Sequence, residues 1–177
     1  CEFIGAFIGD GFFNCYKNKL YHIEFAGDSR FDLEYYRDVI IPIVKDYIPN
    51  INPRIINVKD KNAIKVIFNS KHLFCLLRDY FGFKQGRKTY TVKIPEKIYR
   101  KEEYLRRTIR GIFDTDGCVF LDKRKSYKNS YPRITFTTVS KGLHEQVKSY
   151  LAKHFSLYCY IRKPRGNRAQ AYIIEIY

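Results

Sequence analysis

Two aspartates, Asp10 and Asp116, hold the same place in two copies of one short pattern. The copies are residues 3–11 and 109–117, and both read apolar-x-Gly-apolar-apolar-x-small-Asp-Gly. A carboxylate at the C-terminal end of a helix opposes the helix dipole, and two neighbouring carboxylates repel each other. A divalent cation shared by the two would offset both costs. A single Asp-Gly pair is more often a plain turn, but its repetition in matching surroundings indicates a metal site.

The pattern predicts that each aspartate ends an apolar helix. Small residues stand four positions apart in each copy, namely Gly5 and Gly9, then Gly111 and Thr115. Residues four apart share one helix face, and small side chains there allow a partner backbone to approach closely. We predict that the two helices pack through these faces, that a left-handed glycine ends each one, and that the two aspartates lie side by side.

Both copies resemble the LAGLIDADG motif of homing endonucleases, and a chain with two copies resembles the single-chain form of that family. The resemblance covers nearly the whole chain, because a similar strand–strand–helix–strand pattern follows each motif. It implies an α+β fold of two pseudo-symmetric αββαββ units, whose antiparallel sheets form a DNA-binding saddle. In the family the last acid of each motif binds metal, which corresponds to Asp10 and Asp116 here. The earlier acid position, which is not normally essential, is Ile8 in the first copy and Asp114 in the second.

The resemblance also implies an activity. It is that of a site-specific endonuclease, which recognises a long pseudo-asymmetric site and cuts both DNA strands across the minor groove to leave 3′ overhangs. Mg²⁺ is the implied cofactor, with Mn²⁺ or Ca²⁺ able to occupy the site. The backbone carbonyls of Gly9 and Thr115 are expected to help the aspartates hold it.

Basic side chains beside the metal are expected to polarise water in such a site. The candidates are Arg30 and Lys141, which follow the second strand of each half, with Lys97 as a further candidate. The family often carries Gln or Lys in this region, and the Gly-Asp-Ser sequence at residues 27–29 departs from that pattern. An ordinary surface position in the first turn of a helix is the alternative for these residues.

The balance of charges indicates a polyanionic partner. The chain has 177 residues, with 33 Lys and Arg against 18 Asp and Glu, which gives a formal net charge of +15. The sequence contains no apolar run of about 18 residues, so it predicts no membrane span and favours nucleic acid over a membrane surface as partner. We expect double-stranded DNA as the partner and a monomer with internal pseudo-twofold symmetry.

The cysteines and histidines lack the spacing of metal ligands. Five cysteines are scattered without a Cys-x-x-Cys pair, and four histidines are equally dispersed. We therefore predict reduced thiols and a cytoplasmic or otherwise intracellular location, which is an organelle if the source is a eukaryote. The absence of methionine and the lack of a third helix in the second half lead us to expect a chain that is trimmed or partial.

The spacing of apolar residues predicts two similar halves, at residues 1–100, including the linker, and 101–177. The first half is expected to contain helix 1–9, strands 12–17 and 20–26, helix 30–48, strands 54–59 and 62–69, and a helix from Ser70 to Gly82. A basic, irregular linker is expected at 83–101. The second half is expected to contain the second motif helix, strands 118–124 and 132–138, a helix capped by Ser140, and strands 157–163 and 169–177.

Alternation along the strands separates a packed face from a DNA-facing one. The residues expected to pack are Phe13, Cys15, Ile23, Phe25, Val119, Leu121, Ile134 and Phe136. Asp122 is expected on the exposed face. The residues expected to contact DNA are Asn14, Tyr16, Lys17, His22, Glu24, Arg54, Lys59, Lys61, Arg124, Arg133, Thr135, Thr137, Arg162, Arg165 and Arg168.

Other functions fit parts of the same pattern. A LAGLIDADG protein that no longer cuts could act as an RNA maturase or as a DNA-binding regulator. An endonuclease domain within an intein is a second alternative, for which Cys1 is the only local sign, and the chain does not end in His-Asn. A small basic structural protein that binds nucleic acid leaves the paired Asp-Gly helices unexplained.

Overall fold

Helices alternate with antiparallel strand pairs twice along the chain. The structure is a computed structural model that describes residues 1–17, 19–123, 130–155 and 171–176. Most of the predicted loop 125–130, the predicted strand 157–163 and four predicted DNA-binding residues lie outside the described residues: Arg124, Arg162, Arg165 and Arg168.

The first series of elements keeps the predicted order. Helix α1 spans Glu2–Asp10, and strands β1 and β2 span Gly11–Tyr16 and Leu20–Asp28. Helix α2 is continuous through three segments, which are α-helical at Leu33–Tyr35, π-helical at Tyr36–Ile40 and α-helical at Ile41–Tyr47. Strands β3 and β4 span Arg54–Asn57 and Ala63–Asn69, and helix α3 joins the α-helical Lys71–Cys75 to the π-helical Leu76–Tyr80.

The second series follows a short helix, α4, at Glu96–Tyr99. Helix α5 spans Glu102–Asp116, with two glutamates in its first turn as predicted. Strands β5 and β6 span Gly117–Asp122 and Tyr131–Thr138, helix α6 spans Lys141–Phe155, and strand β7 spans Tyr172–Ile176. The predicted mixed fold with two antiparallel sheets is therefore confirmed.

The chain forms two compact units. Unit 1 comprises Cys1–Lys88 and Pro95–Thr115, and unit 2 comprises Thr89–Ile94 and Asp116–Tyr177. Residues 89–94, predicted as linker, join unit 2 because the backbone of Ile94 bonds to the Gln146 amide, at 2.8 Å and 3.0 Å. The Ser140 hydroxyl also donates to the Val92 carbonyl, at 2.6 Å. The predicted boundary at residue 100 stays a prediction.

Unit 1 is built on a four-stranded antiparallel sheet in the order β1-β2-β4-β3. One face of this sheet is a dense aromatic layer, in which Phe13 lies 5.6 Å from Phe7 of α1 and 5.1 Å from Phe74 of α3, centroid to centroid. Phe13, Ile23 and Phe25 are almost fully buried, so the predicted packing face is confirmed for these residues. Cys15, at the end of β1, is only half-buried.

Unit 2 has a three-stranded antiparallel sheet in the order β5-β6-β7. Helix α6 contacts β6 and β7, where Phe136 and Ile174 are fully buried. The prediction that Val119 and Leu121 pack is wrong, since their exposed fractions are 70% and 55%. These residues belong to the edge strand β5, and alternation shows which side chains share a face but not how far a helix covers that face.

The ends of the helices confirm some predictions and correct others. Ser70 and Ser140 accept hydrogen bonds from the amides of residues 73 and 143, as N-caps should. The predicted left-handed glycines at the ends of the motif helices are both wrong, because Gly11 has φ −78° and ψ 144° and begins β1, while Gly117 has no positive φ and begins β5. A glycine is needed at Gly11 for space, since a Cβ would overlap Phe7. The helix predicted to begin at residue 30 begins at Leu33, after the Asp28 amide donates to the Asp32 carboxylate at 2.6 Å.

His144 gives unit 2 an expected dependence of stability on pH. Its side chain is buried in α6 against Tyr172, and burial, reinforced by Lys148, lowers the pKa of the imidazole below 6.5. The unfolded chain therefore binds a proton that the folded chain resists, and stability falls as pH drops below about 6.5. We expect the fall in melting temperature between pH 7.5 and 5.5 to be smaller in His144→Phe than in wild type. Equal pH slopes would contradict this assignment.

In the described part of the chain, no helix is both long and apolar enough to cross a membrane.

Candidate functional site

The two motif helices, α1 and the part of α5 in unit 1, pack through their glycines. A Cβ added to Gly5 would overlap the backbone carbonyl of Thr108, and one added to Gly111 would overlap the carbonyl of Glu2. Both obstacles are backbone atoms, which cannot rotate out of the way as a side chain can. The prediction that these helices pack through small residues is confirmed for Gly5 and Gly111.

The contact between the motif helices is reciprocal. Gly5 faces the residue three positions before Gly111, and Gly111 faces the residue three positions before Gly5. The next nearest atoms also correspond, because they are the amide nitrogens of Ile112 and Ala6, the residues that follow the two glycines. The crossing therefore has a local twofold relation in which each motif occupies the same place.

Asp10, the last residue of α1, is held by a buried tyrosine. The Tyr36 hydroxyl donates to Asp10 Oδ2 at 2.7 Å and also lies 3.0 Å from the Ala26 carbonyl oxygen. Burial and the neighbouring carboxylate raise the pKa of Tyr36 far above its usual range, so this phenol keeps its proton. Tyr36 begins the π-helical segment of α2, a kind of segment that is frequent at functional sites.

Lys88 was not predicted from the sequence as a site residue, yet it binds the last turn of α1. Its ammonium donates to the carbonyls of Ile8, at 2.6 Å, and Gly9, at 3.2 Å. A cation at a helix C-terminus offsets the helix dipole and helps to keep the preceding turn in place. The loop before it is anchored where the Gly86 amide donates to the Phe13 carbonyl, at 3.0 Å. Only the basic run at residues 85–88 marks this loop in the sequence, and it does not specify a partner.

The residues around Asp10 fit a hard divalent cation only in part. Carboxylate and carbonyl oxygens are the ligands that Mg²⁺ prefers, so Asp10 suits the ion. The Gly9 carbonyl suits it less well, because that oxygen already accepts from an ammonium group. Among the described residues, no group of three or more His, Cys, Asp or Glu side chains forms a metal site. Asp116 is the exposed last residue of α5, directly after the half-buried Thr115.

Asp114, at the earlier acid position of the second motif, takes part in a different interaction. Arg110 lies 3.6 Å from Asp114 and 3.7 Å from Glu2, so it joins acids of both motif helices. Burial raises the pKa of Asp114, although Arg110 opposes the rise. We interpret Asp114 as part of the packing between the helices.

The outer face of the unit 1 sheet carries the predicted DNA contacts. Asn14 stands opposite His22 and His22 opposite Asn69, so two amides flank one imidazole on the same face. Glu24, two residues along β2, accepts from His22 at 3.1 Å and pairs with Lys65 at 2.8 Å. Asn69 was missed in the sequence, although alternation along β4 places it on this face. Tyr16, Lys17, Arg54, Lys59 and Lys61 are exposed around this face and its turns.

Residues 103–177 match the family model described as a LAGLIDADG-like domain. The chain carries a LAGLIDADG-like domain. This match confirms the predicted family for residues 103–177, which contain the second of the two motifs. No curated protein sequence matches the chain at a significant level.

Solved structures share the fold of this chain at low sequence identity. The homing endonuclease I-DmoI in complex with DNA and Mn is 18% identical with a TM-score of 0.64, and the match covers 99% of this chain and 87% of that one. The meganuclease I-SmaMI bound to uncleaveable DNA is 14% identical with a TM-score of 0.57, covering 99% and 76%. Full-length DUF199/WhiA from Thermatoga maritima is 15% identical with a TM-score of 0.57, covering 99% and 50%. At these identities the likeness establishes the fold alone.

Arg30 and Lys141, both predicted to be catalytic, make surface ion pairs. Arg30 binds Asp28 through two hydrogen bonds, at 3.0 Å and 2.7 Å, which lower the pKa of Asp28 to about 2. Lys141 lies 3.8 Å from Glu145, with 71% of its side chain exposed. An ion pair reduces the ability of each basic side chain to polarise a water molecule. The catalytic role of both residues stays a prediction.

In unit 2, Arg133 shares one face of β6 with Thr135 and Thr137, but its side chain is buried and not exposed as predicted. Its exposed fraction is 8%, because Nε lies 2.7 Å from Asp122, Nη1 lies 3.5 Å from Glu175, and Nη2 donates to the Tyr131 hydroxyl at 3.0 Å. The prediction that Asp122 is exposed is wrong for the same reason. Thr135 is half-buried and Thr137 is exposed, so these two residues keep their predicted orientation.

Replacing Tyr36 with phenylalanine tests whether the phenol orients Asp10. For the DNA cleavage proposed below, with Asp10 as a metal ligand, we expect Tyr36→Phe to slow the reaction by about 10- to 100-fold, the usual cost of losing a group that orients such a ligand. The loss should shrink as the Mn²⁺ concentration rises. Tyr47→Phe is a matched control, because that exposed hydroxyl on the same helix contacts only His72 among the bonds described. Equal rates for the two variants would contradict this role.

Proposed function

We propose that this LAGLIDADG protein is a site-specific double-strand DNA endonuclease of the homing type that depends on a divalent cation. The observation that carries the proposal is the reciprocal contact of Gly5 with Thr108 and of Gly111 with Glu2. That contact relates the two helices that each end in an aspartate. Homing endonucleases whose structures contain DNA share the fold and lend support.

The proposed catalytic groups are Asp10 and Asp116, which would hold Mg²⁺ together while water and the scissile phosphates complete its octahedral shell. A bound divalent cation lowers the pKa of water and stabilises charge on the leaving 3′ oxygen. I-DmoI structures that contain Mn, Ca or Mg support this choice of cofactor. The Thr115 carbonyl is a further proposed ligand, whereas the Gly9 carbonyl would first have to leave Lys88.

The chain's own groups prepare this site for the reaction. Tyr36 donates to Asp10 and so keeps its carboxylate in one orientation. Lys88 holds the last turn of α1 and brings a positive charge close to Asp10, where we propose that it also attracts a backbone phosphate. We propose that both strands are cut across the minor groove to leave 3′ overhangs, by a monomer.

A non-cleaving LAGLIDADG protein is the second candidate, acting as an RNA maturase or a DNA-binding regulator. The observation that favours it is the state of the predicted catalytic groups. Arg30 and Lys141 both lie in ion pairs, and the Gly9 carbonyl accepts from Lys88.

A cleavage assay separates the two candidates. The protein is incubated with Mg²⁺ and a supercoiled plasmid library of randomised inserts, and the ends of linear molecules are sequenced. The nuclease proposal expects one enriched, asymmetric site with 3′ overhangs, and no linear product when EDTA is present. It is contradicted if neither Mg²⁺ nor Mn²⁺ yields linear DNA while the protein still retains duplexes on a filter.

Binding to the selected duplex is expected to depend strongly on salt. If about eight phosphates are neutralised, log affinity falls with log salt with a slope of roughly −7. Replacing Lys59 and Lys61, which are exposed in the turn between β3 and β4, with alanine should reduce the slope by about 2. The measurement is fluorescence anisotropy with Ca²⁺ over a range of KCl concentrations. An unchanged slope would place these lysines outside the interface.

A further inference from the structure

The helices of unit 1 line an open cavity to which Asp10, Tyr36, Lys88 and Asp116 do not contribute. Lys97, the further candidate for polarising water, lies in the wall of this cavity. Its volume is about 340 Å³, within the range of ligand pockets. The wall is formed by Cys1, by residues at the end of α3 and in α4, and by residues that follow α4 up to the first turn of α5. The residues important for the argument are Tyr80, Lys97, Arg100, Lys101 and Tyr104.

Two exposed tyrosines line this cavity, and each has a lysine over its ring. Tyr80 is 54% exposed and Tyr104 is 40% exposed, although large aromatic side chains are usually buried. The Lys97 ammonium lies 3.9 Å from the centroid of the Tyr80 ring, and the Lys101 ammonium lies 5.1 Å from that of Tyr104. Each tyrosine therefore has a positive charge over one face of its ring, while much of its side chain is exposed.

Two of the acids near these lysines pair with arginines. Arg100 takes Glu96 as its partner, at 2.9 Å, and Glu103 pairs with Arg107. Within the described ranges, the ion pairs given for Glu96 and Glu103 do not include Lys97 or Lys101, and no carboxylate lines the cavity. The cavity is accordingly basic and aromatic.

We propose that this cavity binds an unpaired nucleotide of a single-stranded nucleic acid. A base stacks on an aromatic ring whatever its sequence, and the adjoining phosphate pairs with a lysine or arginine. A tyrosine–lysine pair supplies both partners at once. Paired bases in a duplex keep their faces covered by stacking, so a duplex could offer the cavity only its phosphates.

The cavity is distinct from the surface proposed to bind duplex DNA. Its lining comes from helices and their ends, whereas the proposed duplex contacts lie on the polar face of the sheet. The apolar core of unit 1, which includes Phe13 and Phe25, lies on the opposite face of that sheet. The inference is independent of the nuclease proposal, and either can fail alone.

Fluorescence anisotropy with labelled single strands tests this site. The probes are oligo-uridine and oligo-thymidine of equal length, each measured with an excess of unlabelled duplex DNA to occupy the duplex site. The variants are Tyr80→Ala with Tyr104→Ala, and Lys97→Ala with Lys101→Ala. Lys45→Ala with Lys71→Ala is the matched control, because it removes two exposed positive charges elsewhere in the same unit.

We expect each pair of cavity substitutions to weaken single-strand binding by about tenfold or more, while the control changes it less than twofold. Tyr80→Phe with Tyr104→Phe should keep binding, since stacking needs only the ring. The probe that binds more tightly, oligo-uridine or oligo-thymidine, shows whether the site prefers RNA or DNA, and either preference supports the site. Equal losses in cavity and control variants, or complete displacement of the probes by duplex, would overturn it. Binding of the selected duplex should be the same in all variants, which also shows that each is folded.

Discussion

Asp116→Asn is expected to abolish cleavage while leaving duplex binding nearly unchanged. Asparagine has the same shape as aspartate but lacks the charge that attracts a divalent cation. Loss of a group that merely orients a metal ligand costs about 10- to 100-fold, so loss of a ligand should slow cleavage by more than about 100-fold. Asp10→Asn should behave in the same way, because the two positions correspond in the two motifs.

Asp114→Asn is the matched control for this experiment. It makes the same chemical change two residues earlier in the same helix, at an acid that lies 3.6 Å from Arg110. We expect it to reduce cleavage by less than about tenfold through a small change in helix packing. Single-turnover cleavage in Mg²⁺ and duplex binding in Ca²⁺ are the two measurements. Equal losses in Asp114→Asn and Asp116→Asn, or full activity in Asp116→Asn, would refute the assigned roles.

A measurement without cleavage separates a missing metal ligand from a misplaced one. With bound duplex, the electron paramagnetic resonance signal of free Mn²⁺ should decrease when wild-type protein is added. The decrease should be smaller with Asp10→Asn and Asp116→Asn, and it should be retained with Asp114→Asn. A variant that binds Mn²⁺ normally but cannot cut would show that its aspartate acts in some other way.

The sequence was most informative where a local pattern is repeated. The two motif helices, the glycines through which they pack, the hairpin of β1 and β2 and the serine caps all follow from spacing within a few residues. Such features depend on helix and strand periodicity, which any single segment displays. The repetition of the motif indicated the functional site, because a single Asp-Gly pair would be interpreted as a turn.

The features missed in the sequence depend on contacts between distant segments. Lys88 binds the carbonyl of Ile8, and Tyr36 binds Asp10, across separations that no local period can reveal. The burial of Arg133 had the same cause, since its partner Glu175 lies on a different strand. In a chain of net charge +15, any basic residue can be interpreted as a DNA contact. Only the fold shows which basic residues already pair with acids of the same chain.

Gly5→Ala is expected to be one of the most destabilising single substitutions in unit 1. The new Cβ would overlap the Thr108 carbonyl oxygen, so α1 and α5 would have to move apart. Overpacking typically costs about 1–3 kcal/mol, and an obstacle made of backbone places this site at the upper end. Alanine regains up to about 1 kcal/mol of helix propensity, which leaves a net loss of about 2 kcal/mol. For a chain of this size, the melting temperature should fall by roughly 4–8 °C.

Gly142→Ala is the control for helix propensity alone. Gly142 lies in the first turn of α6, where a Cβ would meet only the flexible side chain of Lys93. We expect this variant to be neutral or slightly stabilised in a thermal denaturation experiment. A similar loss of stability in Gly5→Ala and Gly142→Ala would mean that overlap between the motif helices does not destabilise the protein.

The double variant Gly5→Ala, Gly111→Ala tests the reciprocity of the contact. The two glycines lie at corresponding positions in α1 and α5. If the two helices move apart to relieve one overlap, the same movement also relieves the other. The double variant should therefore lose clearly less stability than the sum of the two single variants, and an additive loss would contradict a shared crossing. If Asp10 and Asp116 share a cation as proposed, the wider spacing should also slow cleavage at temperatures where each variant is still folded. A folded double variant that cuts at the wild-type rate would separate the helix contact from the catalytic proposal.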